Sequence, residues 1–137
     1  AHAEGKMAGF VEDEFSDMDD LTQADFEKVV IALSAEAQLS HQKAADENNA
    51  TAIAEGRELM GGDAFSCIDC HTLHRAGKPK APDLTGYGSR EWMLGIVDNP
   101  AHDRFYGKKN DRMPAFGKDG ELTRQQIEAI VDWLRKE

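Results

Sequence analysis

The sequence predicts an all-α fold, and three observations carry that reading. Apolar residues recur at helical spacing in two distant stretches, Phe26, Val29, Val30, Leu33 and Ala37 and then Ile127, Ile130, Val131 and Leu134. No alternating apolar and polar run marks a strand. All four prolines fall between Cys67 and Lys118 beside several glycines, so the middle of the chain reads as loops and short helices.

The elements follow in order. Of 137 residues, 26 are acidic and 16 basic, a net charge of −10, and positions 1–50 hold 12 of the acids against three bases, Lys6, Lys28 and Lys43. These residues form an acidic extension, and positions 51–137, near neutral, form the main domain. The densest stretch, Glu12, Asp13, Glu14, Asp17, Asp19 and Asp20, repels itself and is expected as a solvated loop. It lacks the glycine and terminal glutamate that an EF-hand calcium loop requires. Thr22 with Asp25 three residues on is an N-cap signature, which predicts a helix over about Gln23–Lys43. The polar tract from Lys43 to Ala50 reads as its frayed end and a linker. A second helix is expected from Thr51 through Ile53, Gly56, Leu59 and Met60, stopped by Gly61-Gly62. Ser89 caps a short helix reaching Val97, and Thr123 caps the last, with Trp133 at the flank of its apolar stripe.

Composition narrows the function. The acidic balance argues against a nucleic-acid binder, which needs clustered Lys and Arg to displace counterions. Two cysteines are no disulfide scaffold. No run approaches the roughly 18 apolar residues of a membrane span, and no basic segment followed by an apolar one opens the chain. The sequence therefore predicts a soluble piece.

The chemistry lies in Cys67-Ile-Asp-Cys70-His71, the C-x-x-C-H pattern of covalent c-type haem attachment. Two thiols on one turn reach the two vinyl groups at one porphyrin edge, and the adjoining histidine offers its imidazole to the iron. A thioredoxin-like C-x-x-C would need a βαβ setting that this strand-poor chain lacks. Zinc could take Cys67, Cys70, His71 and His74, though such sites usually come as two separated knuckles. An electron-transfer haem needs a second axial ligand, and a thioether there raises the potential. Met113, in Asp111-Arg-Met113-Pro114-Ala-Phe116, belongs to no apolar periodicity and is the candidate. His102 is second in line for that position. Met60 and Met93 lie beside Leu59 and Leu94 on helical faces and are read as core.

These residues resemble the class I mono-haem cytochromes c from about Thr51 to the C-terminus. The resemblance rests on Gly56, the Cys67–His71 motif, Pro82 in Ala81-Pro-Asp-Leu84, Met113-Pro114-Ala-Phe116 and the closing helix with Trp133. It implies a cytochrome c fold of three to five helices around one covalent haem c. It also implies that Gly56 marks the crossing of the first and last helices with Trp133 packed against it, and that a proline carbonyl at Pro82 accepts the N–H of the axial imidazole. The runs Pro82–Trp92 and Arg104–Gly107 are similar to c-type domains appended to cytochrome b subunits of bacterial quinol-oxidising complexes. That implies a periplasmic electron-exit domain, attached to the membrane only through its parent complex. Its donor would be a cytochrome b/iron-sulfur complex and its acceptor a soluble cytochrome or oxidase.

Leu21–Glu36 aligns without gaps on Leu122–Glu137, with Leu, Thr, Glu, Val, Leu and Glu in register. A methionine stands upstream of each, Met7 and Met113. The extension thus reads either as the rear part of a preceding cytochrome-like domain or as any capped amphipathic helix would. From Arg75 to Lys118, nine bases face five acids, a modestly basic rim or ordinary loop charge. His74 faces haem propionates or water. Electron transfer asks no general acid or nucleophile of the chain, so it reads as an electron-transfer domain and not an enzyme. The alternative, a catalytic or sensor haem protein, needs an open sixth position.

Overall fold

The computed structural model describes residues 5–15 and 18–137. Among these, six α-helices run in the order α1 (Lys6–Phe15), α2 (Asp20–Ala35), α3 (Lys43–Asn48), α4 (Ala50–Gly61), α5 (Arg90–Asp98) and α6 (Arg124–Arg135). A small antiparallel hairpin, β1 (Thr72–Leu73) with β2 (Ala76–Gly77), pairs Thr72 with Gly77 and Leu73 with Ala76. The fold is all-α as the patterns predict, since two residues per strand make no sheet layer. None of the described helices is long and apolar enough to cross a membrane.

The N-terminal half departs from expectation. Helix α1 covers Glu12, Asp13 and Glu14, which were expected in a loop. Met7, Phe10 and Val11 recur at helical spacing there, although Met7 and Val11 are themselves exposed. Asp17, in the same acidic stretch, lies outside the described residues. Helix α2 begins at Asp20, because Asp19 and not Thr22 is the cap: its Oδ1 accepts the Thr22 N–H at 2.8 Å. It stops at Ala35, where Gln38 turns left-handed (φ 53°), and the expected linker is largely helix α3.

Helix α2 packs across α4. Val29 and Ala32 are buried between them, and Phe26 and Leu33 reach a core cluster of Met60, Phe65, Leu73 and Leu84. The rings of Phe26 and Phe65 lie 5.7 Å apart. The crossing is at Gly56, where a Cβ would run into the carbonyl of Lys28 and into Ala32. This corrects the helix expected there: α2, and not the last helix, lies on Gly56. Trp133 is instead 77% exposed. The Lys28 ammonium bridges Asp25 (2.8 Å) and Glu55 (3.0 Å) along the same seam.

A second cluster joins α5 and α6 through Leu94, Val97, Ile127 and Val131, with Met93, Met113 and Phe116 packed on its edge. The Ser89 cap of α5 and the Thr123 capping box of α6 stand as the sequence predicts. The stripe on α6 is split: Ile127 and Val131 are buried, whereas Ile130 and Leu134 are exposed.

Candidate haem-binding site

The attachment motif forms a tight 3-10 turn, Cys67–Asp69. The Cys67 carbonyl accepts from both Cys70 N (3.3 Å) and His71 N (3.0 Å). That closure keeps both free thiols on one turn, Cys67 half-buried and Cys70 exposed. Burial pushes the Cys67 thiol up, so it stays protonated at neutral pH. Gly77, at φ 95°, closes over the turn; any Cβ there would strike the His71 carbonyl and Ile68.

His71 Nδ1 stands 2.7 Å from the carbonyl oxygen of Pro82. A carbonyl can only accept, so Nδ1 is the donor, and in the neutral ring Nε2 then keeps its lone pair for a metal. Pro82 has no N–H of its own, and its fixed φ holds the acceptor in place. Asp83, next in the chain, takes hydrogen bonds from Thr72 Oγ1 (2.9 Å) and from Thr85 Oγ1 (2.8 Å), and faces Arg104 Nε at 3.3 Å. Burial raises the Asp83 carboxyl, but the Thr85 and Thr72 donors and Arg104 more than offset this and hold it below the ordinary range.

Met113 sits apart from this turn, on the second cluster. Asn110 brackets its backbone: Nδ2 donates to the Met113 carbonyl (2.8 Å) and Oδ1 accepts the Met113 N–H (3.3 Å). The turn and the methionine therefore stand on separate apolar clusters. Cys67, Ile68 and Leu59 pack on the first, and Met93, Ile96 and Phe116 on the second. The donor set fits haem: two thiols on one turn, one imidazole with Nε2 unengaged, one thioether, and partly buried apolar side chains for a flat group to cover. It does not fit zinc. Among the described residues no three His, Cys, Asp or Glu side chains converge on a metal position, and His74 turns to Glu36 at 2.9 Å. His102 is engaged in its own turn, where Nδ1 accepts the Arg104 N–H at 3.2 Å.

Glu36 and Asn110 carry no sequence signal that singles them out for this site. Asn110, three residues ahead of Met113 in a polar loop, fits an Asx-type turn, which is the one pattern that could have marked it. Glu36 looks like one more acid of the extension, yet it is 3% exposed. Burial raises its carboxyl, but hydrogen bonds from Gly86 N–H, His74 and Arg57 more than offset this and hold it below the usual range. Four of the rim's bases are neutralised within the chain: Lys78 by Asp69, Arg90 by Asp132, Arg104 by Asp83 and Glu91, and Arg112 by Asp111.

Comparison with known proteins adds two relatives. The chain is 27% identical over 97 residues to cytochrome c oxidase subunit 2 of Alkalihalophilus pseudofirmus, covering 66% of this chain and 27% of that protein. It is 33% identical over 104 residues to a nitric oxide reductase subunit from Paracoccus denitrificans, covering 67% of this chain and 63% of that one. The chain thus spans less than two thirds of either relative. No solved structure matches it. The cytochrome c family profile matches residues 53–137, from the first turn of α4 to the last residue after α6, and so takes in the Cys67–His71 motif, the Pro82 loop and Met113. Family membership brings with it covalently bound haem c and haem-based electron transfer, and on this profile the chain belongs to the cytochrome c family.

Proposed function

We propose that the chain transfers single electrons through one haem c held by thioethers from Cys67 and Cys70, with His71 and Met113 as axial ligands. The observation that carries this reading is the 2.7 Å contact of His71 Nδ1 with the Pro82 carbonyl, on the turn that holds both thiols. It leaves Nε2 aimed away from its partner with a raised basicity, as a metal-bound imidazole requires. When bound, haem supplies a one-electron ferric/ferrous couple. The chain supplies attachment, ligand orientation and an apolar surround that limits solvent access to the couple.

The domain would not be an enzyme by itself; it would serve a larger respiratory oxidoreductase on the extracytoplasmic side of a membrane. Both relatives are named as subunits, one of an oxidase and one of a reductase, and this supports a place in such an assembly. The runs at 82–92 and 104–107 favour a quinol-oxidising cytochrome b/iron-sulfur complex as donor. A soluble cytochrome or an oxidase would then accept the electron.

An absorption spectrum of the purified protein, oxidised and then reduced, tests the ligation. Sharp reduced bands with the weak far-red band of methionine sulfur on ferric haem are expected. Haem bands without it would move the sixth ligand to His102 or open the site for catalysis or gas sensing. A colourless protein would end the proposal.

A further inference from the structure

Segments 71–74 and 82–85 run side by side and touch at a constant offset. His71 Nδ1 meets the Pro82 carbonyl at 2.7 Å, Thr72 Oγ1 donates to Asp83 Oδ1 at 2.9 Å, and the His74 N–H donates to Thr85 Oγ1 at 2.8 Å. The Leu84 N–H adds a bond to the Thr72 carbonyl at 2.8 Å. The first rung holds the imidazole of the proposed ligand. The far end is closed by one carboxylate: Glu36 Oε2 accepts the Gly86 N–H at 2.7 Å, while Oε1 faces His74 Nε2 at 2.9 Å. Arg57, on α4, fixes that carboxylate through Nη2 (2.7 Å) and Nε (3.1 Å).

The far end needs holding. His74 and Arg75 form the two-residue turn between β1 and β2, with φ of 47° and 72°. Asparagine and glycine are the usual occupants of such turns, and bulkier residues there are strained. The strained turn begins three residues beyond His71. Its ties on this side are the His74 ring to Glu36 and the His74 N–H to Thr85.

We propose that Glu36 is a positioning residue for the His71 imidazole: by clamping His74 and Gly86 together it sets the length of the His71–Pro82 hydrogen bond, and through it the electron-donating strength of Nε2. The proposal rests on His71 being an axial ligand. A short Nδ1–H···O=C bond gives the imidazole anionic character, which favours the oxidised iron. A loosened ladder lengthens the bond and favours the reduced iron. The acidic extension, which contributes Glu36, thereby tunes the potential of a site to which it adds no ligand.

The test uses the full haem-loaded chain and Glu36→Gln, which keeps size and removes charge. Two quantities are read: solvent exchange of the His71 Nδ1–H by NMR in the reduced state, and the midpoint potential. Exchange should quicken at least tenfold. The redox equilibrium should shift toward the reduced form by up to tenfold, about 59 mV for one electron. A moved potential with unmoved exchange means that only the lost charge was felt, and overturns the proposal, as does no change in either. Should Glu36→Gln fail to fold, His74→Ala breaks the same clamp at a half-exposed side chain and must quicken exchange in the same sense. His71→Ala separates the premises. If it keeps the wild-type spectrum, the axial reading fails and the clamp with it; if it loses that spectrum while Glu36→Gln leaves exchange unmoved, only the clamp fails.

Discussion

The guanidinium of Arg135, near the end of α6, donates to the carbonyl of Ala37 at 2.8 Å, joining the last helix to the acidic extension. The same nitrogen donates to the Gly88 carbonyl at 2.6 Å, and Nη2 reaches the Gln38 carbonyl at 3.2 Å. Glu137 completes the junction: it pairs with Arg135 Nε at 3.0 Å and accepts the Ser40 N–H at 3.1 Å. The Arg135 side chain is itself buried. Arg135→Ala would strand these carbonyls, at about 1–3 kcal/mol of stability. Arg135→Lys should not restore it, since a point charge cannot reach three acceptors in a fork. Urea unfolding midpoints check both; an unshifted Arg135→Ala midpoint would refute the junction's importance.

Gly56→Ala would drive a methyl group into the Lys28 carbonyl, and α2 would have to lift from α4. A loss of about 1–3 kcal/mol is expected from the overpacking. Gly120→Ala, where a Cβ meets open space but φ is 76°, serves as a comparison for backbone strain without a clash. Equal losses at the two positions would argue against the crossing.

Removing residues 1–49 should destabilise the domain and not merely trim it. Val29 and Ala32 would no longer cover α4, and Met60 and Phe65, now fully buried, would meet water. Each such side chain accounts for about 1.5–3 kcal/mol of burial. A truncated chain that unfolds at the same urea concentration as the full one would contradict this.

Acid should loosen the extension. The Glu36 carboxyl is held below its ordinary value of 4.5, so its contribution is complete above that pH and is lost as pH falls through the lower folded value. The stability gap between wild type and Glu36→Gln should therefore shrink as pH falls below about 5. Unfolding midpoints across that range measure it, and a gap that widens in acid would reverse the assignment.

On the proposed ligation by His71 and Met113, Met113→Ala should lower the midpoint potential and open the iron to carbon monoxide, because a thioether ligand favours ferrous haem. An unchanged potential would place the distal ligand elsewhere.

What could be read in the sequence divides along a physical line. A C-x-x-C-H motif consists of adjoining residues, so the turn from Cys67 to His71 is legible as a string, and helix caps such as Ser89 and Thr123 are equally local. The partner of Gly56 is not. Residues 21–36 and 122–137 share one register, and the pattern alone cannot say which copy lies on α4; the structure puts Ala32 there and leaves the register-equivalent Trp133 in solvent. Glu36 is hidden for a related reason. Its partners Arg57, His74 and Gly86 stand 21, 38 and 50 residues away, and no periodicity links such distances. At Glu12–Glu14 two local signals compete, charge repulsion for a loop and the spacing of Met7, Phe10 and Val11 for a helix, and the stretch is helical.

The eleven-residue offset between His71 and Pro82, Thr72 and Asp83, and His74 and Thr85 has a bearing on how this chain can vary. A substitution at one rung can loosen its neighbours but keeps the pairing in register. One residue inserted or deleted between Arg75 and Ala81 would shift all of them together, pairing His71 with a neighbour of Pro82 whose carbonyl points elsewhere. Gly77 apart, the stretch should therefore tolerate amino-acid exchanges better than any change of length, whereas the exposed turn around Gly120 can lengthen without touching any of these contacts.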